Sequence, residues 1–201
     1  MRIAVYGGTF NPIHNGHIHL AEQFARILNA DKVLLIPARE PPHKVAVDLA
    51  SARDRLKMCC LASADALFEA SDIELRRSSP SYTSDTLLEL RAAYPHSELF
   101  LITGEDMFLT IQNWHEPQTI YSLATLCAAP RSVEGLPRLL EHADFLKRSG
   151  ANTVVENIEY LPISSTMVRN AVKNGKSIAG LVPPAVAEYI LGNNLYLERV
   201  K

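Results

Sequence analysis

Two histidines three residues apart, His14 and His17, lie in the stretch VYGGTFNPIHNGHIHLAEQ, which runs from Val5 to Gln23. At that spacing two imidazoles can share one side of a helical turn, which suits either a metal ion or an anion. Catalytic zinc needs a third ligand and an orienting shell around it. The stretch has no HExxH pattern, and no nearby carboxylate stands in an obvious third position. Phosphate binding uses more of the residues. Gly7 and Gly8 let the backbone approach an anion with no Cβ in the way. Gly16 clears space at a helix start, where unpaired N–H groups and the helix dipole favour negative charge. Thr9 adds a hydroxyl, and both imidazoles can donate to phosphate oxygens. The spacing is neither GxGxxG nor GxxxxGKS, so neither an ordinary dinucleotide fold nor a P-loop is supported. The plain alternative is an elaborate turn with satisfied histidines. Two histidines and three glycines at one strand–helix junction weigh against it.

The elements that must position this turn alternate along the chain. Ile3–Tyr6 reads as a strand, and Leu20, Phe24, Ile27 and Leu28 then fall on one helical face. Val33–Pro37 is a second strand, followed by a proline-rich loop from Ala38 to Ala50. Ser51 with Asp54 resembles a capping box that opens a helix through Ala64. Phe68–Ile73 is a weaker strand signal, and Arg76–Asp85 a loop whose Thr83 or Ser84 could cap the next helix. Glu98–Gly104 is a strong buried strand. Short helices are expected over Glu105–Asn113 and Gln118–Leu123, then a strand over Thr125–Ala129. A helix over Leu136–Arg148, stopped by Gly150, leads to a strand over Thr153–Glu156. Two helices close the chain: one capped by Ser164 or Ser165 and stopped at Gly175, the other opened by Pro183-Pro184 and stopped at Gly192. Strand–helix alternation implies an α/β, doubly wound parallel sheet covered on both faces. Ligands then bind beyond the carboxyl ends of the strands, where the strand order reverses.

At 201 residues the chain suits one domain over 1–201, with the helices of about 164–192 packed on the sheet. Hydrophobic residues make up 47% and charged residues 21%, as in an ordinary globular protein. A net charge of −2 leaves no basic footprint for duplex nucleic acid. The three cysteines, Cys59, Cys60 and Cys127, form no disulfide framework or zinc spacing, and Cys59 and Cys60 read as buried small side chains. No signal peptide and no bilayer-length apolar run is visible, so the expectation is a cytoplasmic protein with no membrane or nucleic-acid partner. A homo-oligomer is compatible with the sequence.

The first stretch contains GGTFNPIHNGH, which resembles the (H/T)xGH signature of the nucleotidylyltransferase superfamily. ISSTMVR, Ile163 to Arg169, resembles its second signature, ISSTxxR. PPHK (Pro41–Lys44), SYTSDTL (Ser81–Leu87) and TGEDMFLTIQNW (Thr103–Trp114) narrow the resemblance to the bacterial nicotinate-nucleotide adenylyltransferases. It spans Arg2 to about Ile190. Two departures are small: Glu105 stands where the family often has a small residue, and Val168 replaces the commoner isoleucine. A carboxylate at Glu105 would weaken anion binding if it pointed inward.

The resemblance implies a Rossmann-like nucleotidylyltransferase fold. It also implies adenylyl transfer from ATP to nicotinate mononucleotide, giving deamido-NAD and pyrophosphate. The nucleophile is already an anion near neutral pH, because a phosphate monoester has its second pKa near ~6, so no general base is required. By resemblance His14, His17, Lys44 and Arg169 are the catalytic set, with His17 on the α-phosphate. Gly7, Gly8, Thr9, Phe10, Gly16, Gly104, Asp106, Ile163, Ser164, Ser165 and Thr166 would bind ATP. Tyr82, Thr83 and Trp114 would bind the mononucleotide, Trp114 by stacking on the pyridine ring and N–H groups near Thr83 by meeting the carboxylate. Mg²⁺ would arrive on the ATP phosphates with no protein ligand. His19, His96, His115 and His142 show no supporting pattern. Two other readings share features with this one: a pantetheine-phosphate adenylyltransferase-like enzyme, or a nucleotide-binding regulator without turnover.

Overall fold

A computed structural model describes residues 1–39, 48–63, 65–78, 80–132 and 134–197. Pro41, Pro42 and Lys44 of the proline-rich loop, and Ala64, lie outside the described residues. The strands are β1 (Arg2–Gly8), β2 (Lys32–Pro37), β3 (Phe68–Ala70), β4 (Glu98–Gly104), β5 (Ala124–Ala129) and β6 (Thr153–Val155). All pair in parallel, in the order β3-β2-β1-β4-β5-β6. The helices are α1 (Asn15–Ile27), α2 (Ala52–Ala62), α3 (Thr83–Ala93), α4 (Glu105–Phe108), α5 (Pro117–Leu123), α6 (Gly135–Arg148), α7 (Ser165–Lys173) and α8 (Pro184–Gly192).

Both faces of the central strands are apolar, as a sheet covered on two sides requires. Ala4, Val33, Leu35, Phe100 and Ile102 join one core layer with Phe24 of α1, Met58 of α2, Val168 and Val172 of α7, and Val186 and Ile190 of α8. Ile3, Val5, Leu34, Ile36, Leu99 and Leu101 join the other with Leu87 of α3, Phe108 of α4, Ile120 of α5 and Leu139 of α6. The two-residue period of the strands sorts neighbours to opposite layers. No helix among the described residues is long and apolar enough to cross a membrane.

Several elements depart from the sequence expectation for identifiable reasons. Strand β3 ends at Ala70, although Ile73 is still buried from the loop beyond it. Helix α2 ends at Ala62, two residues short of the expected end: Ser63 leaves the helical region, with ψ of 71°, while its hydroxyl bonds the Cys59 carbonyl. Cys59 is buried there but Cys60 is exposed, so only the first is a core residue. Ile27 is 43% exposed at the end of α1, and Leu28 takes the core position. Tyr82 caps α3, Thr83 is already helical, and Ser84 is buried. The helix expected over Glu105–Asn113 breaks after Phe108 and resumes as a 3-10 turn, Ile111–Asn113. Thr110 lies in the break and its hydroxyl bonds the carbonyls of Asp106 and Met107, a local alternative to helical bonding.

Candidate active site

Strand order reverses between β1 and β4, so the crevice beyond their carboxyl ends is the expected ligand position. The glycine–histidine turn leaves β1 there. Phe10 takes the left-handed backbone region, with φ of 46°, and its ring is buried. The ring meets Tyr6 and His17 edge-on, with centroids 5.6 and 5.1 Å apart. A Cβ on Gly8 would come within 3.0 Å of that ring. Gly8 therefore makes room for Phe10, and it also lines a cavity described below. Gly7 does face open space. At Gly16 a Cβ would stand 3.1 Å from the His14 imidazole, so this glycine clears the histidine.

His14 is the N-cap of α1 and His17 lies in its first turn. Their rings stack with centroids 3.6 Å apart. The backbone N–H of His14 donates to His17 Nδ1 at 3.3 Å. That acceptor role places the His17 proton on Nε2, leaving Nε2–H as a donor. Burial, with the Arg131 guanidinium adding to it, pulls the His14 imidazole down to about 4. Burial, His14 and Arg131 together hold His17 well below its ordinary value. Both rings are neutral at pH 7, and both would gain charge beside an anion.

The second signature is tied to the first across some 150 residues of chain. Ser164 caps α7 by accepting the Met167 N–H. The Ser165 hydroxyl donates to the Pro12 carbonyl at 2.8 Å, and Arg169 Nη1 donates to the Asn11 carbonyl at 2.8 Å. Arg169 Nη2 reaches Thr166 Oγ1. These side chains thus hold the glycine–histidine turn in place as well as facing the crevice.

Two cavities open there. The larger, about 600 Å³, is walled by His14, Gly16, His17, Tyr160, Ile163, Ser164, Thr166 and Arg169. The smaller, about 310 Å³, is walled by Gly7, Gly8, Phe10, Tyr82, Thr83, Trp114 and His115. Tyr6, Thr9, His17, Gly104, Arg131 and Ser165 border both. Gly7, Gly8 and Phe10, expected with ATP, thus face the smaller cavity. Asp106 is on neither wall, and its exposed carboxylate pairs with Arg131 at 2.7 Å. Glu105 is buried, but its carboxylate accepts the Arg131 backbone N–H at 2.7 Å and abuts Gly135. It borders the larger cavity but is engaged by the loop after β5.

Four residues escaped the sequence reading. Arg131 follows β5 at the carboxyl edge of the sheet, where the strand-end rule could have flagged an arginine. His115 stacks on Tyr82, centroids 4.2 Å apart, and could have been flagged by its neighbour Trp114. His19 borders the larger cavity, one ring nitrogen 2.9 Å from the Glu159 carbonyl. Arg55 is buried and donates to the carbonyls of Thr9, Ala38, Arg39 and Ala50, pinning the ends of β1 and β2. No local signal distinguishes it from other helix arginines. Among the described residues no group of three or more His, Cys, Asp or Glu could hold a metal ion.

Known proteins resemble the whole chain. Residues 5–171 match the cytidylyltransferase-like family. The chain is 38% identical over 201 residues to a probable nicotinate-nucleotide adenylyltransferase of Dehalococcoides mccartyi, covering 99% of this chain and 98% of the relative. A protein of the same description from Borreliella burgdorferi is 37% identical over 202 residues, covering 100% and 99%. The fold matches that of the Plasmodium falciparum nicotinic acid mononucleotide adenylyltransferase solved with NaAD, with a TM-score of 0.77, 20% identity and 97% of each chain covered.

Proposed function

The chain belongs to the cytidylyltransferase-like family, in its nicotinate-nucleotide adenylyltransferase branch, and we propose how its site transfers an adenylyl group from ATP to nicotinate mononucleotide. The observation that carries the assignment of roles is the shared wall. Two cavities meet at His17 and Arg131, a neutral donor and a fixed cation, as two anionic substrates joining at one phosphorus require.

ATP takes the larger cavity. Its phosphates meet the N-terminus of α1, the His14 imidazole, and the N-terminus of α7 with Arg169. Nicotinate mononucleotide takes the smaller cavity, its pyridine ring against Trp114 and its carboxylate at the unpaired N–H groups where α3 opens at Thr83. A neutral amide gains less from those N–H groups than a carboxylate does. Lys44, outside the described residues, is proposed to reach the phosphates from its loop. Mg²⁺ carried by ATP would be held by phosphate oxygens and water, which asks for no protein cage.

An oxygen of the mononucleotide phosphate attacks the α-phosphorus. The new P–O bond forms as the bond to the β-phosphate oxygen breaks, and pyrophosphate leaves. No proton is removed from the nucleophile, so positioning and charge neutralisation carry the reaction. His17 Nε2–H and Arg131 stand where negative charge gathers. The product is deamido-NAD, made by a single domain over 1–201 in the reducing cytoplasm, which suits three unpaired cysteines.

The test is pyrophosphate release with ATP, Mg²⁺ and one of three acceptors: nicotinate mononucleotide, nicotinamide mononucleotide or pantetheine phosphate. Turnover should be fastest with the first. No release with it would overturn the proposal.

A further inference from the structure

Gly104, Glu105 and Asp106 follow one another at the end of β4, and each meets Arg131 differently. A Cβ on Gly104 would stand 3.2 Å from Arg131 Nη2, so the guanidinium crosses directly over that backbone. Asp106 Oδ2 accepts from Nη1 at 2.7 Å, but both side chains of this pair are at least half exposed, and such pairs hold geometry weakly. Glu105 is the buried member. Its Oε2 accepts the Arg131 N–H at 2.7 Å, a charge-assisted bond to the backbone itself. Glycine at 135 leaves room for the carboxylate where it stands: a Cβ would come within 2.8 Å of both its oxygens and displace them.

We infer that Glu105 is a positioning residue for the transfer. It anchors the Arg131 backbone so that the guanidinium stands between the two cavities, and Gly135 supplies the space. The inference rests on the role proposed for Arg131.

Steady-state rates and melting temperatures of six variants, four single and two double, test it. E105A should lower kcat/KM for nicotinate mononucleotide about tenfold, as loss of a bond to a charged group does. E105Q, which keeps an acceptor oxygen at the same reach, should recover most of that loss. With R131A as background, E105A should add less than about twofold, because residues acting through one another are not additive. G135A should impair the enzyme alone but cost little beside E105A, since the clashing carboxylate is gone. Wild-type kcat/KM in E105A, with R131A impaired, would overturn this inference and leave the proposed function standing. It would be overturned equally if E105A costs as much with Arg131 absent as present, or if E105Q is no better than E105A. Wild-type rates in R131A would instead remove the role given to Arg131.

Discussion

The two cavities differ in how their walls are made. The larger is built mainly from two runs of chain, His14–Leu20 and Ile158–Arg169, each containing a helix start. The smaller draws on more segments: Val5–Phe10 at the end of β1, the 74–87 segment, Leu101–Gly104 of β4 and the stretch that ends at His115. A phosphate asks for N–H groups and donors converging on a small sphere, which one turn and a helix end can supply locally. A flat ring asks for apolar and aromatic surfaces, and any segment the fold brings near can supply those. If the cavities divide as proposed, triphosphate binding is written in short motifs and acceptor choice is dispersed over the sheet's edge.

The largest effect should come from the wall that the cavities share. His17→Ala removes the Nε2–H donor where both substrates meet. By analogy with loss of one oxyanion donor, kcat should fall about 10²–10³-fold. ATP should still bind within about tenfold, because α7 and Arg169 are untouched. Single-turnover pyrophosphate release and ATP titration separate the two. Near-normal kcat would remove His17 from the reaction. A loss confined to ATP affinity would move it wholly into the larger cavity.

The phosphate side also carries a pH signature. The His14 imidazole titrates near 4 in the folded protein, against an ordinary value of 6.5, and His17 is depressed likewise. Between pH 6.5 and 4 the unfolded chain binds more protons than the folded one. Stability is therefore full above that window and is lost as pH falls through it, by at most about 1.4 kcal/mol per pH unit for His14, with His17 acting in the same direction. Denaturant unfolding at stepped pH should show the slope, and His14→Asn should flatten it. Saturating ATP should shrink it too, because phosphates favour the charged imidazoles. An unchanged slope in both conditions would mean that neither ring is held neutral.

Much of the larger cavity's wall was legible from residue order alone. His14, Gly16 and His17 are close in sequence, and Ser164 to Arg169 open one helix. The parallel sheet followed from strand–helix alternation, and the side bearing the site followed from the carboxyl ends of the strands. What stayed hidden depended on contacts between distant segments. That Gly8 also makes room for a ring shows only when the left-handed Phe10 brings that ring within 3.0 Å of where a Cβ would stand. Arg131 and His115 acquire partners only when β4 and β5 lie side by side and the 3-10 turn delivers His115 to Tyr82. Helix boundaries failed where a side chain competes for the backbone, as Thr110 and Ser63 do.

Trp114 tests the dispersed side. It is the chain's one tryptophan and borders only the smaller of the two cavities. Base–aromatic stacking is worth about 1–3 kcal/mol, so Trp114→Ala should raise KM for nicotinate mononucleotide about tenfold. ATP affinity should not change, and kcat should stay within about threefold. In the wild type the same ligand should quench tryptophan fluorescence and ATP alone should not. Equal losses for both substrates would dissolve the division between the cavities.

The smallest effect should fall at Tyr196, where the C-terminal tail meets the phosphate-side turn. Its buried hydroxyl donates to Asn11 Oδ1 at 2.9 Å. That oxygen also accepts the Ala50 N–H, while Asn11 Nδ2 donates to the Asp48 carbonyl. Asn11 thus joins the tail, the 48–50 segment and, through its own carbonyl, Arg169. In Tyr196→Phe the Asn11 oxygen keeps its bond to Ala50, so no buried acceptor is left bare. The cost should be near that of one ordinary hydrogen bond, about 1 kcal/mol, read as a lower denaturant midpoint with unchanged slope. If the tail braces the turn, KM for ATP should rise more than KM for the mononucleotide. Equal shifts would mean that the tail steadies the whole crevice, because a brace on one wall cannot loosen both sides alike.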